Sequence, residues 1–311
     1  MSLCAGRAGQ RGDRGGDRPA GQTWLCDRPR PRGRRTGGDH RQIHEGADMT
    51  DFETISIRID ARGVATLELA REDKHNALSA QMMDELATAA ARLGADPEVR
   101  VLVLTGRGAS FCAGGDLTWM RDQMAAGPDA RRAAALKLSH MLKAINTIPK
   151  PVIARVQGNA FGGGVGIISV CDVAVCAEEA KFGLTETRLG LIPATIGPYV
   201  VAKLGAPMAR RVFMSSRLFD AAEAERLGLV ARVGAAGDLD ALVEAEVAPY
   251  LACAPGAVAA AKRHLLALSA PIDDGVIAMA ADVLVDRWED GEAVEGIDAF
   301  FEKRSPYWST K

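Results

Sequence analysis

Two glycine-containing turns stand out, because each follows a short apolar run and leads into a helix-like stretch. The first spans 108–116 after the run 101–104, and the second spans 158–166 after the run 152–156. Glycine lets a ligand approach the backbone closely, and the start of a helix presents amides without intrahelical acceptors. Two such turns together could hold one developing negative charge between two backbone N–H groups. Taken singly, each turn is more typical of tight packing.

These glycines do not match the common nucleotide-binding motifs. A GxGxxG fingerprint in a suitable strand–helix context, with an acidic residue about 20 positions later, is absent, and no GxxxxGK[ST] occurs. The five histidines and six cysteines show no CxxC pair and no zinc-ligand spacing. We therefore expect no dinucleotide chemistry, no phosphoryl transfer and no metal site. The cysteine usage is typical of a reducing, cytoplasmic compartment.

The elements that must position the turns alternate between strand-like and helix-like patterns. Residues 54–60 and 64–69 alternate apolar and polar side chains, which predicts an opening hairpin, and Ser79 can cap a helix that runs to about Leu93. Further patterns predict strands at 101–104, 151–156 and 173–176, helices at 117–124, 130–146 and 163–170, and a nearly all-helical chain from Thr195 onward. This order predicts an α/β fold with a helical C-terminal part.

Length and charge limit the classes of partner. The chain has 311 residues, 48% of them hydrophobic, and a formal net charge of −2. Such a length can bury a full core, whereas the balanced charge argues against binding nucleic acid by bulk electrostatics. No uncharged stretch is long and apolar enough to predict a membrane span. We expect a small-molecule substrate, no nucleic-acid partner and no membrane partner.

Residues 1–48 differ from the rest in composition. They contain ten arginines, ten glycines and six acidic residues, but no lysine and no valine, so their charge is about +4. So few large apolar side chains cannot offset the entropy of ordering, which predicts a disordered extension. A transit peptide and a nucleic-acid-binding tail remain alternatives, although six acids argue against the first and the scarcity of aromatics against the second. The favoured interpretation is a non-functional extension before Met49.

Several longer motifs occur in order along the remaining chain. They read FCAGGD at 111–116, GNAFGGG at 158–164, CD at 171–172, FGLTE at 182–186 and LGLIP at 189–193, with REDKHNAL at 71–78 and FFEKR at 300–304. Over essentially all of residues 50–308 this pattern resembles the enoyl-CoA hydratase/isomerase (crotonase) family. The resemblance implies a spiral of ββα units over 49–250 and a helical trimerisation region over 251–311. It also implies an acyl-CoA thioester as substrate, with no cofactor other than the CoA of that substrate, and a homotrimer or a dimer of trimers.

The resemblance also implies roles for individual residues. The backbone amides of Ala113 and Gly163 match the two donors of the family's oxyanion hole, which would polarise the thioester carbonyl. The positions that match stretches lining the CoA are Lys74, Ala113, Gly114, Gly115, Asp116 and Gly163. Phe300 and Lys303 match positions that reach the CoA of a neighbouring subunit in related trimers.

The acid–base residues depart from the family pattern. Typical hydratases carry two glutamates around a bound water, and the matching positions here are Gly166 and Glu186. One carboxylate is therefore present and the other is missing. A carboxyl group in an apolar pocket has a raised pKa, which suits a group that must both give and take a proton. Glu186 is the predicted catalytic acid–base, and Asp116 is the first alternative.

Three functions stay open at this stage. The segment 184–199 is most similar to the bacterial methylglutaconyl-CoA hydratase-like group, which favours hydration of a branched or carboxylated enoyl-CoA, as in leucine or isoprenoid breakdown. A single glutamate can equally support Δ3,Δ2-enoyl-CoA isomerisation, which needs only proton transfer between two carbons. A non-catalytic acyl-CoA- or RNA-binding relative is the third possibility, and the glutamate at position 186 argues against it.

The composition of residues 1–48 generates a first prediction. A chain that begins at Met49 should keep its fold and its activity, because the deleted residues cannot contribute a hydrophobic core. Thermal unfolding and enzymatic turnover of the two chains should agree within experimental error. Loss of cooperative unfolding in the shorter chain would contradict this interpretation.

Overall fold

A computed structural model describes residues 52–309, so the predicted extension at 1–48 lies outside the described residues. The strands are β1 Ile55–Ile59, β2 Val64–Leu69, β3 Val101–Gly106, β4 Ser110–Cys112, β5 Val152–Val156, β6 Asn159–Phe161, β7 Val173–Ala177, β8 Lys181–Gly183, β9 Leu218–Asp220 and β10 Arg232–Gly234. The helices are α1 Ala80–Ala95, α2 Leu117–Ala125, α3 Pro128–Asn146, α4 Gly163–Ser169, α5 Gly197–Leu204, α6 Ala206–Ala209, α7 Ala221–Leu227, α8 Leu239–Leu251, α9 Pro255–Leu268, α10 Asp274–Trp288 and α11 Gly291–Phe301.

The strands form two sheets that the chain visits alternately. One sheet has the order β1-β2-β3-β5-β7-β10, and the other has the order β4-β6-β8-β9. The pair β1–β2 is antiparallel, which confirms the predicted hairpin, and the remaining pairs of the first sheet are parallel. The successive units β3-β4-α2, β5-β6-α4 and β7-β8 each add one strand to both sheets. This is the predicted spiral of ββα units.

Local sequence accounts for the main elements. Every residue of β3 is buried, as expected for an apolar run in the middle of a parallel sheet. Helix α1 begins after Ser79, whose side chain accepts a hydrogen bond from the Met82 amide, and its buried face packs on the core. The predicted cap and the predicted apolar face of this helix are therefore both confirmed.

The C-terminal third is less uniformly helical than the sequence suggests. Strands β9 and β10 interrupt the region after Thr195 that the sequence predicts as nearly all helical. Each has three residues and extends one edge of a sheet by pairing with β8 or β7. Three residues are too few to show an alternating pattern, so non-local pairing decides their conformation. The boundary between the predicted core and the predicted trimerisation region, at 250/251, stays a prediction.

No single helix in the described part of the chain is long and apolar enough to cross a bilayer. The segments 236–251 and 255–268, with a bend of 105° between them, meet the length and composition requirements only as a pair.

Glycine allows α4 to pack directly against strand β4. A Cβ atom placed on Gly164 would lie 2.5 Å from the carbonyl oxygen of Cys112 and 3.0 Å from its Cβ. Both contacts are with rigid or buried atoms, because Cys112 is fully buried within β4. The separation of the two elements therefore depends on the missing side chain.

We expect Gly164→Ala to lower the free energy of unfolding by about 1–3 kcal/mol, since overpacking forces backbone shifts. Gly256→Ala is the matched control, because Gly256 is the second residue of α9, as Gly164 is of α4, and a Cβ atom there meets no atom within 4 Å. Denaturant unfolding of the two variants measures the difference. Equal stability of the two variants would show that β4 and α4 can move apart at no cost.

Candidate active site

Three of the predicted site residues meet at one small cavity. The cavity has a volume of about 100 Å³, and Gly115, Gly163 and Glu186 all line it. The rest of its lining is contributed by α1, α2, α3, α10, the residue Leu78 and the segment 191–196. The two glycine turns therefore converge, as the sequence predicts.

The Ala113 amide is not free to act as an oxyanion donor, so the sequence-based assignment of that role needs correction. Its N–H donates a hydrogen bond to the carbonyl oxygen of His75 over 3.0 Å. Ala113 is also absent from the residues that line the cavity. A backbone N–H that is already paired inside the protein cannot serve the substrate without breaking that bond.

The first glycine turn has an unpaired amide at Gly115, and not at Ala113 as the sequence analysis expects. Leu78 and Gly115 form an isolated parallel bridge, in which the Leu78 amide donates to the Gly114 carbonyl over 2.7 Å and the Asp116 amide donates to the Leu78 carbonyl over 3.1 Å. Because these bonds flank Gly115, its own N–H points away from Leu78. No acceptor for this N–H occurs within residues 52–309.

Gly163, the second predicted donor, also has an unpaired backbone amide. It is the first residue of α4, so its N–H has no acceptor within the helix, and none of the described residues accepts from it. Gly162 before it has a φ of +46°, a conformation that favours glycine. A Cβ atom on Gly114 would lie 3.1 Å from the carbonyl oxygen of Phe161, so the first turn packs closely against the second.

Glu186 is the acidic residue of the cavity. It begins a short 3₁₀ turn, Glu186–Leu189, and its Oε2 atom is buried with no hydrogen-bond partner in the described structure. Burial raises the pKa of this carboxyl group to about 7. A carboxyl group with such a pKa can accept and return a proton at neutral pH. A Cβ atom on Gly162 would lie 2.9 Å from Glu186 Oε1, so the carboxyl group borders the second glycine turn.

Ile196 occupies the space where a second carboxylate would have to start. A Cβ atom on Gly166 would lie 2.6 Å from Ile196 Cγ2 and 3.0 Å from Ile196 Cβ. Gly166 is fully enclosed in α4, and Ile196 lines the cavity. The missing glutamate is therefore replaced by an apolar side chain and not by an open space.

Asp116 has a structural role that opposes its use as a base. Its carboxylate accepts hydrogen bonds from the amides of Thr118 and Trp119 at the start of α2, and it lies 2.8 Å from Arg71 Nη2. Burial alone would raise the pKa of Asp116, but the hydrogen bond from Arg71 and those from the two amides outweigh it and hold the pKa below its usual value. Asp116 thus stays ionised and caps the helix.

Arg71 and Asn76 support the first glycine turn, and the sequence analysis did not single them out. The buried Asn76 side chain accepts from the Arg71 amide and donates to the carbonyl groups of Arg107 and Ser110. Arg71 also donates to the Ala77 carbonyl. Asn76 has a φ of +54°, which is uncommon for a residue other than glycine. The sequence pattern does not predict this backbone conformation.

The other predicted CoA-binding residues lie outside the lining of the cavity. Lys74 is exposed on the 3₁₀ turn Glu72–Lys74, and Gly114 lies in the first glycine turn with a φ of +94°. Phe300 is 49% exposed and contacts Phe301 edge to face, and Lys303 is exposed beyond the end of α11. Within one chain the structure does not bring Phe300 and Lys303 to Glu186. Among the described residues no group of three or more His, Cys, Asp or Glu side chains could hold a metal ion.

Comparisons with known proteins find relatives over most of this chain. A family model described as Enoyl-CoA hydratase/isomerase matches residues 60–311. A carnitinyl-CoA dehydratase of Proteus mirabilis is 34% identical over 262 residues, which span 81% of this chain and 98% of that protein. The crystal structure of an enoyl-CoA hydratase from Shewanella pealeana is 35% identical, with a TM-score of 0.68 over 83% of this chain and 97% of that one. Pseudomonas aeruginosa AtuE is 38% identical, with a TM-score of 0.68 over 83% and 100%.

The raised pKa of Glu186 should be visible in the pH dependence of stability. A carboxyl group with a pKa of about 7 in the folded state and 4.5 in the unfolded state binds more protons when folded between these values. Its contribution to stability is therefore fully present below pH 4.5 and is lost as the pH rises through 7. Glu186→Gln, which cannot ionise, should escape this loss and gain roughly 3 kcal/mol relative to the parent chain between pH 4.5 and 8.

Denaturant unfolding at both pH values measures this gain. Glu178→Gln is the control, because Glu178 is an exposed glutamate outside the cavity. A relative stability of Glu186→Gln that does not change with pH would show that the Glu186 carboxyl group is not desolvated in the folded protein.

Proposed function

Because the chain belongs to the enoyl-CoA hydratase/isomerase family, we propose that it adds water to the double bond of a 2-enoyl-CoA thioester, or removes water in the reverse direction. The observation that carries this proposal is the buried carboxyl group of Glu186, whose Oε2 atom has no hydrogen-bond partner among the described residues, beside two unpaired backbone amides. Such a combination supplies both a proton carrier and a site for a developing oxyanion.

The proposed reaction follows from these groups. The thioester carbonyl oxygen accepts hydrogen bonds from the amides of Gly115 and Gly163, which makes the β-carbon electrophilic. Ionised Glu186 takes a proton from water while the water oxygen bonds to the β-carbon, and the electrons of the double bond move onto the thioester as an enolate. Glu186 then returns the proton to the α-carbon. Each amide of such an oxyanion hole contributes a factor of about 10²–10³ to the rate.

The position of Ile196 favours isomerisation as a second candidate function. Beside Gly166 its side chain replaces the polar group that would hold a water molecule against Glu186. In a 3-enoyl-CoA, Glu186 could instead remove a proton from the α-carbon and deliver it to the γ-carbon, which moves the double bond without any water. The same amides would stabilise the dienolate. A non-catalytic binding role is disfavoured, because a buried carboxyl group with an unpaired oxygen atom destabilises the fold without benefit to binding.

The remaining CoA contacts are also proposals. We assign the CoA chain to the surface formed by Lys74 and residues 113–116, which adjoins the cavity through Gly115. The exposure of Phe300 and Lys303 is consistent with contacts to CoA bound in a neighbouring subunit.

A homotrimer, alone or paired, is supported by α9 and α10. Among the residues of α9 only Lys262 is buried, whereas Leu265 and Leu268 are 63% and 72% exposed, and Met279 of α10 is 59% exposed. Further copies of the chain would cover this apolar surface. The four cysteines of the described part are unpaired, which supports the cytoplasmic, reducing location.

Hydration and isomerisation can be separated with three substrates. We expect the full chain to hydrate crotonyl-CoA, with loss of the ultraviolet absorbance of the conjugated enoyl thioester. The same absorbance should appear from trans-3-hexenoyl-CoA if isomerisation is the activity. The third substrate is 3-methylglutaconyl-CoA, the type that the segment 184–199 favours. The cavity would have to accept the terminal carboxylate of its acyl group. Absence of any change with all three would contradict the proposed function.

Glu186→Gln should lower the turnover of whichever reaction is found by a factor of about 10²–10⁴, the usual contribution of a general acid–base. Acyl-CoA binding should change little, because glutamine keeps the size of glutamate and the two amides remain. Steady-state kinetics and calorimetric binding measure the two effects, and Glu178→Gln again serves as the control. Undiminished turnover in Glu186→Gln would mean that another group is the base.

A further inference from the structure

The side chains around the cavity are almost all apolar. Glu186 and Thr195 carry its only hydroxyl or carboxyl groups, and no lysine, arginine or histidine occurs among the described residues that line it. Leu138, Leu284 and Trp288 form part of its wall. An acyl group bound here would therefore meet no cation.

The size of the cavity restricts the length of the acyl group. An apolar protein cavity of about 150 Å³ accommodates benzene, with six heavy atoms. By that measure a cavity of about 100 Å³ holds roughly four heavy atoms. Helix α10 limits this space, because Leu284 and the 6% exposed Trp288 project from it into the cavity wall.

Arginines near this wall are already engaged with other groups. The guanidinium carbon of Arg131 lies 5.9 Å from the ring centre of Trp288, but its nitrogens donate to the carbonyl groups of Gln123 and Met124. Arg287 donates to the Gly190 carbonyl and forms ion pairs with Asp290 and Glu292. Neither is among the lining residues, and moving either one inward would break these bonds.

We infer that the site takes a short, uncharged and apolar acyl group of about four carbons, and that Trp288 and Leu284 set its maximal length. This inference rests on the proposed function and specifies its substrate class. It also disfavours acyl groups that end in a carboxylate, including the methylglutaconyl type. A terminal carboxylate would lose its hydration against Leu138 and Trp288 with no cation to compensate, and it would lie in the same small cavity as Glu186.

Binding of saturated acyl-CoA esters tests this inference independently of catalysis. We expect the full chain to bind butyryl-CoA more tightly than octanoyl-CoA by at least about tenfold, since one misfit methylene already costs 10-fold or more. Glutaryl-CoA should bind at least about 10²-fold more weakly than butyryl-CoA, since an apolar pocket rejects even an added hydroxyl group by about that factor. Isothermal titration calorimetry measures all three affinities.

Two variants of α10 test which residues set the limits. Trp288→Ala should improve octanoyl-CoA binding by about tenfold or more, whereas Trp308→Ala should not, because Trp308 contacts Tyr307 outside the cavity. Leu284→Ala gives the same test with a smaller loss of packing, should Trp288→Ala fail to fold. Leu284→Arg should raise the affinity for glutaryl-CoA and lower that for butyryl-CoA, because it supplies the missing cation at a half-buried position.

The outcomes separate this inference from the proposed function. Equal or tighter binding of glutaryl-CoA by the parent chain overturns the charge selection, and equal binding of octanoyl-CoA overturns the length limit. Both results would leave the proposed function intact. Failure of the parent chain to bind any of the three esters would instead overturn the proposed function.

Discussion

The close contact of two glycine turns is the constraint on which the rest of the site depends. Strands β4 and β6 are parallel neighbours, so the turns that follow them leave the sheet side by side. Their backbones pack closely there: a Cβ atom on Gly114 would lie 3.1 Å from the carbonyl oxygen of Phe161, and one on Gly163 would lie 2.6 Å from the Leu78 side chain. The unpaired amides of Gly115 and Gly163 face one cavity as a result. Each of the two turns thus contributes one unpaired amide, and neither turn could form the pair alone.

Burial of Glu186 is the second property that follows from this packing. The Glu186 carboxyl group lies among apolar side chains with its Oε2 atom unpaired, and this burial raises its pKa. Ile196 both fills the space next to Gly166 and lines the cavity, so the same side chain removes a second carboxylate and helps to desolvate the first. The position of Ile196 is therefore connected both with the absence of a second glutamate and with the raised pKa of Glu186.

Local patterns predicted the parts of this site that depend on local chemistry. The hairpin, the Ser79 cap and the glycine turns all have recognisable residue types at suitable spacing, whereas Glu186 was assigned through the resemblance of the motifs around it. The choice between Ala113 and Gly115 could not be made in this way, because it depends on the bond to His75 and on the bridge to Leu78, which are set by the tertiary fold. The contact of Ile196 with Gly166 spans thirty positions in sequence and likewise has no local signal.

The walls of the cavity come from distant parts of the chain, which has a consequence for the order of its folding. Leu78 precedes both glycine turns, whereas Leu284 and Trp288 follow them by more than a hundred positions. Helix α10 docks on α3, so the last wall is added after the spiral to which it binds has been synthesised. A nascent chain that ends before α10 has both turns and Glu186, but its cavity lacks one side. We therefore expect closure of the site to be a late folding step, which follows the docking of α10 on α3.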